Sequence, residues 1–320
     1  FFRIPPWLTL RSRDFEQVLR CFSSLSSPAV AMSRRFFTSS PLTMLTSLTC
    51  GRFTLPLHRP LIMGILNITP DSFSDGGCYR QRDAALSHAE RLLAEGAAIL
   101  DIGGESTRPH APPVSEAEEL ERVLPVLEGL QGCGVPLSLD TRRTAVMQAA
   151  LAVGVDMIND VAALEDTGAI AAVAAHPVAV CLMHKQGNPD AMQQSPQYQD
   201  VVGEVQAYLA QRVAAAVQGG IGRERLLIDP GFGFGKTVAH NYTLLAHLAQ
   251  FAALAPVLVG LSRKSMLGAV TGREQPADRV AASVAAALLA CQQGASIVRV
   301  HDVAATRDAL AVWEATRAAH

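Results

Sequence analysis

Lysine is nearly missing from this chain. Of 27 basic side chains in 320 residues, only Lys185, Lys236 and Lys264 are lysines, and the other 24 are arginines. Aromatic residues are scarce too, at 5%, so any core must rest on Leu, Val and Ala. The six cysteines (21, 50, 78, 133, 181 and 291) form no C-x-x-C pair. Scattered single thiols in a chain of this length argue against a disulfide framework or a zinc site, and for reduced cysteines. The longest apolar stretch, VAASVAAALLA (280–290), is far short of the roughly 20 residues that span a bilayer. A continuous apolar segment of the kind that directs secretion is lacking as well. Nor is there a basic excess in the body of the chain. The formal charge of −2 divides into +6 for residues 1–60 and −8 for the remainder. An acidic body excludes nucleic acid as the main partner, because phosphate backbones need a basic face.

The first sixty residues differ from the rest: eight Arg, no Lys, two acids (Asp14 and Glu16) and many Ser. That bias matches an organelle import peptide. The plainer reading is upstream sequence ahead of a start at Met32 or Met44. The expected division is therefore a disordered leader or upstream extension over 1–43 and a single catalytic domain over 44–320. The expected compartment is the cytoplasm, with organelle import as the alternative if the leader is real.

From residue 61 the chain alternates. Eight short apolar runs recur: LIMGIL (61–66), AAILDIG (97–103), VPLSLD (135–140), VDMIND (155–160), VAVCLMH (178–184), RLLIDP (225–230), PVLVGLS (256–262) and SIVRVH (296–301). Runs bounded by turn chemistry suit parallel strands buried on both faces. Amphipathic stretches separate them. SEAEELERVLPVLEGL opens with Ser115 and Glu118 at capping-box spacing, and a second helix is expected from Ser195–Pro196 to Gly219–Gly220. Eight β–α units in about 260 residues are the size of a (β/α)8 TIM barrel. An open doubly wound sheet is the rival.

The strand ends decide between them. Nearly all are polar: Asn67, Asp101, Asp140, Asn159 with Asp160, His184, Asp229, Ser262-Arg263-Lys264, then Arg299 and His301. A closed barrel brings all of them to one mouth, whereas an open sheet gathers only those near its switch point. Asp and Asn also cap helices well, but the cations are poor N-caps. All three lysines directly follow the fifth, sixth and seventh runs, which suggests point charges facing an anion. DPGFGFGKT (229–237) imitates a P-loop, but the first required glycine falls at position 230, which is proline. His184 reads as a satisfied structural residue and receives no role.

By type, the mouth carries two populations. Asp140, Asn159, Asp229 and Lys264 mix donors with acceptors and suit a flat, nitrogen-rich heterocycle. Arg299, His301, Arg108, Ser106 and Thr107 suit phosphate oxygens. Asn67 offers a neutral oxygen, a hard ligand for Mg²⁺ already held by phosphates.

Five blocks, IMGILNITPDSFSDGG, ILDIGGESTRP, LIDPGFGFGK, GLSRKSMLG and IVRVHDV, resemble in order the signatures of the dihydropteroate synthase family. The likeness runs from about residue 50 to 318. It implies a TIM barrel that joins 6-hydroxymethyl-7,8-dihydropterin diphosphate to p-aminobenzoate with loss of pyrophosphate, in folate synthesis, and that is a target of sulfonamides. Carried over by motif position, Asn67 would help hold Mg²⁺ on the diphosphate. Asp140, Asn159, Asp229 and Lys264 would hold the pterin, Met183 would line its slot, and Arg299 would stack on the ring. Arg299 and His301 would take the diphosphate. Thr107, Arg108 and Pro109, with Phe73, would close over the reacting centre. Phe73, Pro109, Phe234 and Ser265 would form the p-aminobenzoate side. Lys264, Arg299, His301, Arg108 and Thr107 are the implied catalytic set. The 70–77 segment is expected to act as a lid hinged at Gly76–Gly77. The resemblance also implies a homodimer, for which the Ala-rich RVAASVAAALLACQQG helix is a candidate face, although such helices also pack on their own sheet. Departures are small: Lys185, Arg142–Arg143, and His110 with two prolines. A pterin-binding methyltransferase and a non-catalytic pterin-binding paralogue are the competing readings.

Overall fold

The computed structural model describes residues 45–68, 78–105, 114–187 and 196–319, all within the unit Thr43–His320. The expected leader, 1–43, lies outside them. Eight parallel strands close on themselves: β3 (Leu61–Asn67), β4 (Ile99–Gly103), β5 (Leu137–Asp140), β6 (Met157–Asp160), β7 (Ala179–Met183), β8 (Leu226–Asp229), β9 (Val257–Val259) and β10 (Ala295–Val300). Every apolar run read from the sequence supplies one of them. Pairing runs right round the ring, with one register shift between Ala295 and Ile297 where β10 meets β9, and β10 pairs with β3 to shut it. The TIM barrel stands, and the open sheet does not.

Alternation within each strand splits the core in two. Outward residues such as Ile62, Leu100, Leu139, Val180 and Val298 pack under the helices. Inward residues, among them Met63, Ile99, Met157, Cys181 and Leu258, form a second cluster inside the barrel. Full burial of such a side chain contributes about 1.5–3 kcal/mol, and the period-2 pleat delivers it to both faces.

An element absent from the sequence reading completes that inner cluster. β1 (Ser47–Cys50) and β2 (Phe53–Pro56) form an antiparallel hairpin whose Leu48, Cys50 and Leu55 pack on the inward residues. It sits at the strand starts, where Gly51 N–H donates to Pro177 O and Arg52 grips the buried Asp156. So the first sixty residues do not all stand apart from the rest: 45–57 belong to the barrel.

The described helices are α1 (Cys78–Glu95), α2 (Glu116–Gly129), α3 (Thr144–Val153), α4 (Ala169–Ala174), α5 (Val201–Gln218), α6 (Val238–Ala246), α7 (Ser265–Thr271), α8 (Val280–Gln292) and α9 (Val303–Ala318). Ser115 caps α2 by accepting from Glu118 N–H, as its spacing predicts. The helix expected from Ser195 instead starts at Val201. Asp200 caps it by accepting from Gly203 N–H, and Glu204 accepts from the 199 and 200 amides. A carboxylate able to take an orphan helix amide outcompetes the Ser-Pro signal upstream.

Candidate active site

The strands lift their inward side chains from an apolar layer to a polar one. In β4, Ile99 joins the inner apolar cluster and Asp101 stands one pleat above it, fully buried. Asp101 accepts from Ser138 Oγ at 2.6 Å, Asn159 Nδ2 at 3.2 Å and Arg299 Nε at 2.5 Å. The other edge of Arg299 donates to Asp140 Oδ2 at 2.9 Å. An unpaired carboxylate inside a barrel costs several kcal/mol, so three donors, one of them a guanidinium, are what make Asp101 tolerable there. Because Asn159 spends its amide N–H on Asp101, its oxygen is left as an acceptor.

On the far side, Met183 and Asp229 are register partners at the ends of β7 and β8. Asp229 turns back to accept from Gly231 N–H at 2.7 Å. Lys264 precedes α7, and its ammonium donates to Phe232 O and lies 4.7 Å above the Phe234 ring. Arg263, just before it, holds a left-handed backbone (φ 59°). That conformation costs on the order of 1 kcal/mol for a non-glycine residue. Ion pairing to Asp302 and the hydrogen bond from Arg263 N–H to Ser283 Oγ secure it, and the kink turns Lys264 toward the mouth. His301 N–H donates to Ser262 Oγ at 3.2 Å, and its Nδ1 lies 3.0 Å from the same oxygen.

Asn67, Gly103 and Asp140 are successive register partners at the rim. A Cβ on Gly103 would stand 3.5 Å from Asn67 Oδ1 and 3.9 Å from Asp140 Oδ2. The missing side chain leaves a notch faced by two oxygens. Among the described residues no group of three or more His, Cys, Asp or Glu could hold a metal. The Asn67 and Asp140 oxygens beside the notch are hard donors of the type that suits a cation already carried on phosphates.

Burial dominates the electrostatics. It raises the Asp140 pKa to about 7; Arg299 opposes the rise, and Asp101 and Asp160 reinforce it. It raises Asp229 likewise, with Lys264 opposing. Burial lowers Lys264 to about 8, with Asp229 pulling it back up. Around Arg299, burial works against the charge but Asp101 and Asp140 outweigh it, and its pKa stands above the usual value.

Asn67, Asp140, Asn159, Met183, Asp229, Lys264, Arg299 and His301 thus all stand at the C-terminal ends of the strands, as the barrel argument requires. Phe234 and Ser265 flank Lys264. Phe73, Thr107, Arg108 and Pro109, with the rest of the 70–77 lid, lie outside the described residues. Two readings change. Asp101, noted only as a strand end, is the hub of the polar layer; its signal was a carboxylate inside an apolar run. Lys236 does not face the mouth with the other lysines. It is 3% exposed and spends its protons on Gly231 O, Phe234 O and His184 Nδ1. His184 is structural, as expected: burial, then the Lys236 charge, push its pKa down to about 3.

Residues 63–301 match the profile of a family described as pterin binding enzyme. The chain is 58% identical over 270 residues to the dihydropteroate synthase of Neisseria meningitidis serogroup C, covering 83% of this chain and 95% of that one. The dihydropteroate synthase of Xanthomonas albilineans, solved with 4-aminobenzoic acid, superposes with a TM-score of 0.81 at 55% identity, over 85% of this chain and 98% of that one. The Burkholderia cenocepacia enzyme, solved with 7,8-dihydropteroate, gives 0.79 at 54% identity, over 86% and 97%.

Proposed function

The chain belongs to the dihydropteroate synthase family of pterin-binding enzymes, and on that premise we propose how its barrel mouth divides the work. The enzyme is a transferase that joins 6-hydroxymethyl-7,8-dihydropterin diphosphate to p-aminobenzoate, releasing pyrophosphate and forming 7,8-dihydropteroate. The observation that carries the residue roles is the convergence on one rim of Asn67, Asp140, Asn159, Asp229, Lys264 and Arg299, from separate strands. Neither the methyltransferase nor the non-catalytic reading is favoured at this level of identity.

Asp229 and the Asn159 oxygen accept from the pterin's ring N–H and amino groups. Lys264 donates to its carbonyl edge, with Met183 below the ring. Arg299 lies along one side of the slot and, with His301, takes the diphosphate oxygens. A carboxylate offers about four acceptor positions, so Asp140 can anchor Arg299 and still meet the ligand. Asn67, beside the Gly103 notch, would help hold Mg²⁺ carried on the diphosphate, and that ion would supply further neutralisation of the leaving charge. Phe234 and Ser265, with Phe73 and Pro109, receive p-aminobenzoate, and Thr107 and Arg108 act on the diphosphate at the reacting centre.

The residues act by placement and by charge. Arg299, His301 and Lys264 stabilise negative charge as it gathers on departing pyrophosphate. The electron-rich pterin stabilises the methylene carbon left behind, and the aromatic amine, already neutral at pH 7, attacks there. The proton that the attacking nitrogen loses passes to water or to the departing pyrophosphate, so no general base from the protein is needed. One well-placed donor of this kind is worth about 3 kcal/mol of barrier.

We also place residues 1–43 outside the catalytic unit and the protein in the cytoplasm, consistent with the unpaired Cys50, Cys133, Cys181 and Cys291. No helix among the described residues is long and apolar enough to cross a membrane. A second copy would pack on α8 and α9, where Leu289 and Val312 are 51% and 69% exposed; sedimentation at two concentrations tests it. The decisive assay mixes the folded chain with the pterin diphosphate, p-aminobenzoate and Mg²⁺. Equal yields of dihydropteroate and pyrophosphate are expected, and no product would sink the assignment.

A further inference from the structure

Lys236 is a costly residue in its position. It is 3% exposed, and an ammonium is tolerated there only where every proton finds an acceptor, burial still lowering its pKa to about 7. Each one does: Gly231 O lies at 2.9 Å, His184 Nδ1 at 3.0 Å and Phe234 O at 3.1 Å, with His184 O at 3.5 Å. If the position needed only to be filled, a Met or Leu would do so at less cost. The three acceptors belong to two segments, the exit of β7 and the loop from β8 to α6. The lysine therefore ties one to the other.

The loop comes very close to the β7 exit. A Cβ on Gly231 would fall 1.8 Å from His184 O, and one on Gly235 would fall 2.4 Å from Gln186 O, so both positions require glycine. Both also take positive φ, 71° and 64°. Tyr198 Oη donates to Gly235 O from the same side at 3.0 Å. The carbonyls of the loop are shared between two lysines. Gly231 and Phe234 offer theirs to Lys236 on the buried side, and Phe232 offers its own to Lys264 on the mouth side. The Phe234 ring lies under the Lys264 ammonium. His184 belongs to the same device: for Nδ1 to accept from Lys236 the imidazole must be neutral, and its strongly lowered pKa keeps it so.

We propose that Lys236 is a positioning residue for the p-aminobenzoate side of the site: its ammonium fastens the β8–α6 loop to His184 and so sets where the Phe234 ring stands. This rests on the function assigned above. It touches neither substrate, and its effect should fall unequally on the two. Phe234 lies within the loop, whereas Lys264 leads its own helix α7, Asn159 and Arg299 are held by Asp101, and Asp140 is held by Arg299.

The test is steady-state kinetics on the full chain with both substrates varied. Lys236→Met should raise KM for p-aminobenzoate at least tenfold and KM for the pterin diphosphate less than threefold. Lys236→Gln, which returns two N–H donors to the loop carbonyls, should show a smaller rise than Lys236→Met. Amide hydrogen exchange over 231–235 should quicken in Lys236→Met whether or not substrate is present. Both KM values unchanged within twofold, or both raised by the same factor, would overturn the proposal. So would failure of both variants to fold, since a group needed by the whole barrel does not position one loop. A wild-type chain that formed no dihydropteroate would overturn the function instead, and hydrogen exchange would still report on the fastening.

Discussion

The two ends of the barrel are built from the same strands and share almost nothing else. At the strand starts, Leu61, Met63, Ile99, Met157 and Leu258 meet the hairpin residues Leu48, Cys50 and Leu55 in a dry apolar cluster. One or two pleats further on, the same strands present Asp101, Ser138, Asp140, Asn159, Asp229 and Arg299. A pleat of period 2 allows this, because moving two residues keeps a side chain on the inner face while changing its level. Stability is concentrated at one end and strained, desolvated charge at the other, so damage to each end should be separable.

The largest separation is expected from Leu48→Ala in the hairpin. Emptying a fully buried Leu site costs about 2–5 kcal/mol of stability, and KM for both substrates should stay within twofold below the melting transition. Denaturant unfolding beside kinetics checks both halves. Lys264→Ala is the mirror image. Turnover should fall about 100-fold, about 3 kcal/mol of barrier, with an unchanged denaturation midpoint. A variant of either kind that moved both readouts equally would mean the ends are not independent.

Titration gives a milder contrast. At the mouth, Asp140 must be ionised to hold Arg299, and its raised pKa of about 7 makes activity fall as pH drops below that value. Lys264 must be protonated to donate, and its lowered pKa of about 8 makes activity fall as pH rises above it. The free enzyme's kcat/KM should therefore be bell-shaped, with a narrow top between about 7 and 8. Folding stability follows a further group as well. His184, depressed from 6.5 to about 3, is neutral in the native state while the unfolded chain takes up a proton. Its contribution is complete above pH 6.5 and is lost progressively as pH falls toward about 3. A melting temperature that fell below pH 7 and again above pH 8, in step with activity, would merge the two readouts again. Removal of residues 1–43 is the smallest perturbation: neither melting temperature nor turnover should change, whereas extending the deletion through 57 should abolish the fold.

The strands were the most legible part. Buried on both faces, they must be short apolar runs, and every run found its strand. The hairpin was not legible because SLTC and FTLP are four-residue elements beside an Arg- and Ser-rich stretch that dominates the local composition. Asp101 was half legible: a carboxylate inside ILDIG is conspicuous, but only the ring of neighbouring strands shows that Ser138, Asn159 and Arg299 converge on it. Lys236 misled for a related reason. Position after a strand predicts the mouth, and only the recoil of a glycine-rich loop turns the side chain inward. The residues assigned from the 62–77 and 99–109 blocks were legible as motif alone: Asn67 is placed at the rim, and Phe73, Thr107, Arg108 and Pro109 lie outside the described residues.

The hairpin has a consequence for traffic. With the strand starts stoppered by Leu48, Cys50 and Leu55, the interior communicates with solvent at one end only, so substrates and products share a single doorway. Asp140, Asn159 and Asp229 lie within the strands, while Phe234 and Ser265 lie in the segments beyond them. On the proposed roles the heterocycle occupies the back of the chamber and the amine the front. The pterin must then arrive first, and p-aminobenzoate bound alone would stand in its path. Excess p-aminobenzoate should therefore slow the enzyme when the pterin diphosphate is scarce, an order of queueing imposed by a stopper at the opposite end of the barrel.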